Sequence, residues 1–346
     1  METRQILKDL VNFNTINDYD NKKIINYIEK YLNNIGFITE YKSKNLVMSI
    51  NDNCPIGFLG HTDTVSYSDE WTVKPFSLKE RGNKLYGLGV CDMKGSIATM
   101  LSVVAKIDWS KKSKGIKLFF TFDEEIGFSG ITELIKSEMK FPNYMIIGEP
   151  TNNEIVNASK GLLELKVSFR GVSSHSSKPE EGVNAIENCI AFIQKMQNLY
   201  VELKKEVIES KAITMNIGLI SGGTSINIVP NYCEVCIDFR TITKYQNEFI
   251  VKQVESILQD FDAKFEVISN IRPFQNNAEK INMSDFISEA SFIDSENKYI
   301  LGVGPITAHK ADEFITISSL EKLEKQYLNM IEEKLNEVDI YEDTKC

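Results

Sequence analysis

The residues best suited to chemistry in this chain stand just past apolar runs. His61 and Asp63 follow "IGFLG", Asp92 follows "LYGLGVC", Glu124 and Glu125 follow "KLFFTFD", Glu149 follows "YMIIG", and His309 follows "LGVGPITA". In open α/β sheets ligands bind beyond the carboxyl ends of the strands, so this recurring placement would gather the side chains at one edge. Two imidazoles and several carboxylates converging there make a pocket that repels itself unless cations occupy it. Nitrogen and oxygen donors without thiolate suit Zn²⁺, with Co²⁺ or Mn²⁺ as substitutes, and a bridging carboxylate would hold two ions about 3.5–4 Å apart.

Each residue also has an ordinary reading: a strand-end histidine is commonly satisfied by its neighbours, and an "EE" pair is commonly solvated. The joint occurrence carries the argument, because the chain has 3 histidines and each falls in a glycine- or serine-rich loop stretch.

The elements that must position these groups follow from periodicity. The stretch from residue 18, "NDYDNKKIINYIEKYLNNIG", has helical spacing and a glycine stop at Gly36. After it, strand-like "NLVMSI", "IGFLG", "IKLFFTF" and "YMIIGEP" are interleaved with helical "KGSIATMLSVVAKI" and "ITELIKSEM". Strands separated by helices predict a doubly wound α/β domain with a mainly parallel sheet. Near residue 160 the order becomes β-α-β-β-α-β, a ferredoxin-like α+β module expected over 161–273. The style of the first part then resumes, so the first domain is expected to comprise 1–160 and 274–346. The tail "YEDTKC" reads as frayed.

Composition narrows the function further. A chain of 346 residues exceeds the usual size of one hydrophobic core. The formal net charge of −10 argues against a nucleic-acid partner, which needs a basic surface. No run approaches the roughly 20 apolar residues of a membrane helix, and "METRQILKDLVNF" lacks a signal-peptide core, so a cytoplasmic location is expected. The cysteines are scattered, which suits reduced thiols. Cys233 and Cys236 lie on an alternating segment that points them to opposite faces, so they are not expected to share a zinc.

The stretches "GHTDTV", "LYGLGVCDMKG", "TFDEEIGFSG", "IIGEPT", "GVSSHSSKPEEGVNAIE", "GGTSINIVPNYCEVCIDFRT" and "GPITAHKADEF" resemble, in order, the two-zinc amidohydrolases of the acetylornithine deacetylase and succinyl-diaminopimelate desuccinylase family. The resemblance runs from about residue 55 to 316. It implies that Asp92 bridges two metals, with His61 and Glu149 completing one site and Glu125 and His309 the other. Glu124 is then the general base for attack by water on an amide, and Asp63 orients the His61 ring. His175 would stabilise the oxyanion from the partner subunit, which makes the inserted module a lid and dimerisation domain of a homodimer. Arg240 and Asn227 would bind the substrate α-carboxylate. The resemblance also implies a cis bond between Asp92 and Met93.

Within that family, "GEPT", "FISEASFI" and "AHKADE" look most like the deacetylase branch. The substrate implied is an N-acyl amino acid, first N²-acetylornithine, cleaved to ornithine and acetate in arginine biosynthesis. Ala311 stands where that branch commonly has proline. A desuccinylase or dipeptidase of the same family, and an inactive metal-free binding relative, are the alternative readings.

Overall fold

The computed structural model describes residues 2–17 and 21–337. The tail at 341–346 lies outside them, as does the start of the helical pattern at residue 18. Helices are α1 (Thr3–Val11), α2 (Asn21–Asn33), α3 (Gly95–Val104), α4 (Ser129–Lys136), α5 (Ala185–Leu203), α6 (Gln246–Leu258) and α7 (Ile317–Asn336). The strands of the two larger sheets are β1 (Ile38–Lys42), β2 (Asn45–Ile50), β3 (Ile56–His61), β4 (Ile116–Thr121), β5 (Tyr144–Ile147), β6 (Leu162–Arg170), β7 (Thr214–Gly222), β8 (Tyr232–Arg240), β9 (Ala263–Ile271) and β10 (Asn297–Ile300). The chain divides into two compact units, one formed by residues up to Val156 and from Ser288 on, the other by Asn157–Ile287.

In the first unit six strands lie in the order β1-β2-β4-β3-β5-β10. The pairs β4/β3, β3/β5 and β5/β10 are parallel, whereas β2 joins β4 antiparallel and β1 extends that edge as a hairpin. The strand "NLVMSI" thus belongs to an antiparallel margin on a mainly parallel sheet. Central strands are apolar throughout because both faces are covered. Phe58, Leu118 and Phe120 face a core shared with α1, α2, α3 and α7. Leu59, Phe119 and Ile147 are equally buried on the opposite face. Every residue of α3 is buried, which explains its near-absence of polar spacing. With β3 flanked by β4 and β5, the chain reverses its direction of travel across the sheet at this point. A crevice at the carboxyl ends follows from that topology.

The second unit carries an antiparallel sheet in the order β7-β8-β6-β9, with α5 and α6 on one face. Leu163, Leu165, Val167, Phe169, Val235, Ile237 and Phe239 point to that face, and the residues alternating with them are more exposed. The alternation buries Cys233 and turns Cys236 the other way.

This unit is wider than the 161–273 module expected. Two-residue strands at Ala158–Ser159, Phe274–Gln275 and Met283–Ser284 pair with one another and tie both flanks to it. Strands so short leave no periodicity to read. Among the described residues no helix is long and apolar enough to cross a membrane.

Candidate metal centre

His61 closes β3 and is 1% exposed. Its Nδ1 donates to the Asp63 carbonyl oxygen at 3.1 Å and lies 3.5 Å from Asp63 Oδ1. Nε2 faces Asp92 Oδ1 at 3.0 Å and Glu149 Oε2 at 3.9 Å. A second imidazole faces the same aspartate from the other side. His309 Nε2 lies 3.6 Å from Asp92 Oδ2 and 3.1 Å from Glu125 Oε2.

These groups form two overlapping clusters, His61/Asp92/Glu149 and Asp92/Glu125/His309, each with its potential donor atoms within 4.8 Å of one another. Glu124 joins His61 and Glu125 in a third such grouping.

The chain delivers them from unlike places. Glu149 stands two residues past β5, and Glu124 and Glu125 follow β4 after a left-handed turn at Asp123. Asp92 and His309, in contrast, do not sit at strand ends of the central sheet. Asp92 lies in a kinked turn, Val90–Lys94, that runs into α3; its φ of −127° and ψ of 95° are non-helical, and the Asp92–Met93 peptide is cis. The turn is entered at Gly89 with φ 77°, where a Cβ would come within 2.6 Å of Thr64 Cγ2. His309 is in a loop well beyond β10, with φ 61°.

The local electrostatics are those of a site short of positive charge. Burial, followed by repulsion from Asp92 and Glu124, pushes the Glu149 carboxyl well above the usual range, and its Oε1 is buried without a hydrogen-bond partner. Burial likewise raises Glu124 well above that range, and raises Glu125. Burial opposes the charged form of His61, yet hydrogen bonds to Asp63 and Asp92 hold its pKa well above 6.5. The hydrogen bond to Glu125 raises His309 to about 9.

An unpartnered buried carboxylate oxygen and two imidazole nitrogens aimed at one aspartate fit a pair of divalent cations with nitrogen and oxygen ligands. Cys91 does not join them: burial pushes its thiol up to about 12 and its Sγ faces the Pro305 carbonyl.

Further carboxylates support this constellation from behind, and reading the sequence for strand-end residues alone passed over two of them. Asp63, which that reading did include, accepts the backbone N–H groups of Glu124 at 3.3 Å and Glu125 at 3.2 Å while it orients His61. Glu313, fully buried, accepts three N–H groups of the 89–92 turn. Glu289 accepts from Thr121 Oγ1 at 2.9 Å, and burial raises it to about 7. The only sequence signal for the last two was an acidic residue inside "AHKADEF" and "FISEASFI", with no apolar run to mark it.

The remaining sequence-predicted residues lie in the second unit. His175 forms a bridge with Ile228, and the neighbouring Ser176 donates its N–H to the Asn227 carbonyl at 3.0 Å, so His175 and Asn227 are close. Arg240 is not with them: Asn227 precedes β8 and Arg240 ends it. Nine strand residues rising about 3.3 Å each separate the two ends by roughly 26 Å. Arg240 Nε instead donates to Asp238 Oδ1 at 3.1 Å.

The chain is similar to known proteins along most of its length. Residues 57–333 match the model of peptidase family M20/M25/M40. Acetylornithine deacetylase of Buchnera aphidicola subsp. Schizaphis graminum is 30% identical over 89% of this chain and 90% of its own length. The enzyme of that name from Yersinia pseudotuberculosis serotype O:1b is 31% identical over 88% of each chain. Among solved structures, aminopeptidase PepT of Bacillus cereus superposes with a TM-score of 0.80 at 20% identity, covering 96% of this chain and 98% of its own. YXEP of Bacillus subtilis, described as a dinuclear metal-binding peptidase, gives 0.70 at 12% identity, covering 96% of each. On a sequence match spanning most of its length, seated on the fold described above, the chain belongs to peptidase family M20/M25/M40.

Proposed function

We propose that this metallo-hydrolase of amide bonds removes the acetyl group from N²-acetylornithine, giving ornithine and acetate as a step of arginine biosynthesis in the cytoplasm. The observation that carries the reading is the pair of ligand clusters sharing Asp92, with Glu124 beside them and raised by burial well above the usual carboxylate range. The deacetylase relatives, which match along nearly the whole chain, support the substrate.

His61, Asp92 and Glu149 would hold one cation, and Asp92, Glu125 and His309 the other; Zn²⁺ suits the donors best, with Co²⁺ and Mn²⁺ as substitutes. The chemistry such a pair supplies when bound is a lowered water pKa and polarisation of the amide carbonyl. Glu124 takes the proton of the attacking water and delivers it to the departing amine. Adjacent glutamates point in different directions, which lets Glu125 serve as a ligand while Glu124 stays free. Asp63 fixes the His61 tautomer and the backbone of both glutamates.

The roles of the second unit follow the family resemblance. His175 would stabilise the oxyanion, and Asn227 and Arg240 would bind the α-carboxylate. Because Asn227 and Arg240 stand at opposite ends of β8, one chain cannot bring both to one carboxylate. A homodimer in which His175 and Asn227 come from the partner subunit resolves this, with the inserted unit acting as lid and dimerisation domain.

The test is a substrate panel with added Zn²⁺ or Co²⁺. Acetate from N²-acetylornithine is expected, and exclusive release of succinate or of free amino acids from the other candidate substrates would refute the assignment. Glu124→Gln should keep its metal and lose about 10²–10⁴-fold in turnover; full activity in that variant would remove Glu124 as the base.

A further inference from the structure

We infer that Glu313 is a positioning residue that preorganises Asp92 for cation binding by bolting the Asp92 turn to the His309 segment; the inference rests on the two-cluster metal reading above. The bolting begins in the main chain. Phe314 pairs with Tyr86 in a short antiparallel ladder, and the Glu313 carbonyl accepts the Gly87 N–H at 3.1 Å. Where the ladder ends, the Glu313 side chain continues it. Oε2 accepts the Gly89 N–H at 2.9 Å, and Oε1 accepts those of Cys91 at 2.6 Å and Asp92 at 3.2 Å.

The turn needs such help. It is neither strand nor regular helix, its Asp92 and Met93 dihedrals are non-helical, and the amides of Gly89, Cys91 and Asp92 go to the Glu313 carboxylate, while those of Val90 and Lys94 reach backbone carbonyls. A buried N–H without an acceptor is costly, so one carboxylate serving three of them decides which conformation the turn adopts. Glu313 is 2% exposed and spends both oxygens on amides, so it is not itself a ligand. Its placement four residues after His309 means that a single segment carries one proposed ligand and fixes the backbone of another.

Glutamine cannot substitute. Its single carbonyl oxygen would serve Cys91 and Asp92 while its amide group met the Gly89 N–H, donor against donor. Asp312, immediately before it in the chain, makes a comparable clamp but on a different loop, accepting the N–H groups of Thr72 at 2.8 Å and Val73 at 3.0 Å. It therefore serves as the control.

The experiment is a competition titration of metal-free protein with Zn²⁺ against a chromophoric chelator, alongside thermal unfolding of the same metal-free samples. Glu313→Gln should bind Zn²⁺ about 10–100-fold more weakly than the wild type, with kcat recovering at excess Zn²⁺. Asp312→Asn should stay within about twofold. A folded Glu313→Gln with wild-type Zn²⁺ affinity would overturn the inference alone; a wild type that binds no Zn²⁺ would overturn the metal reading as well.

Should Glu313→Gln not fold, hydrogen exchange on the wild type decides. The amides of Gly89, Cys91 and Asp92 should be protected in the metal-free protein and gain little on adding Zn²⁺. Protection that appears only with Zn²⁺ would show that the ion, not Glu313, organises the turn.

Discussion

Replacing Asp63 by asparagine probes how far the centre depends on one carboxylate that binds no substrate. Asp63 is 3% exposed and makes three connections at once: it sits against His61 Nδ1, and its two oxygens accept the amides of Glu124 and Glu125. Asparagine has one acceptor oxygen, so one of those amides would face an NH₂ group and be left buried without a partner, at a cost of about 1–3 kcal/mol. The hydrogen bond that survives loses its charge and about half its strength. Together these give roughly 2–4 kcal/mol. For a unit of about 200 residues that corresponds to a fall of several degrees in unfolding midpoint. The damage is not confined to stability, because His61, Glu124 and Glu125 all lose a constraint. A loss of about 10–100-fold in Zn²⁺ affinity or in kcat/KM is expected on that account. Thermal unfolding of the metal-free protein, Zn²⁺ titration and kcat/KM on N²-acetylornithine measure the three effects separately. If Asp63→Asn matches the wild type within about twofold in the last two with an unchanged midpoint, the organising role assigned to Asp63 is wrong.

Two further outcomes are expected. In Gly302→Ala the added Cβ would lie 2.3 Å from the Glu149 carbonyl oxygen and 2.5 Å from that of Gly148, so backbone must move; a destabilisation of about 1–3 kcal/mol follows, and an unchanged unfolding midpoint would contradict it. Metal binding should also release protons at neutral pH, since His309 in the metal-free site is raised to about 9 by Glu125 and His61 lies well above 6.5, so both imidazoles are charged there and must lose a proton to offer Nε2. Affinity should therefore rise with pH, about tenfold per unit for each proton displaced, up to the vicinity of the His309 value. Calorimetry in buffers of different ionisation enthalpy counts these protons, and affinity that is flat between about pH 6 and 8 would refute the linkage.

Much of the centre is legible in the sequence, and the limits have physical causes. His61, Glu124, Glu125 and Glu149 follow strands whose apolar runs are unmistakable, and the sheet topology brings the strand ends together. Asp92 and His309 also follow apolar runs, "LYGLGVC" and "LGVGPITA", but the structure puts neither at the end of a central strand, because those runs are spent on a kinked turn and a loop. The antiparallel attachment of β2 could not be read either, because a strand buried on both faces looks alike in either direction. Glu313 and Glu289 escaped notice for a related reason. Their partners are backbone amides and a threonine hydroxyl brought together from far along the chain, and such contacts leave no local pattern.

The thiol of Cys91, enclosed one position before Asp92, has a consequence for how the molecule meets oxidants. A sulfur that keeps its proton throughout the physiological range is a poor nucleophile toward peroxides and alkylating agents alike. The cysteine next in sequence to a proposed ligand thus offers no handle for redox control, and hydrolysis should persist under stress that silences enzymes built on exposed thiolates.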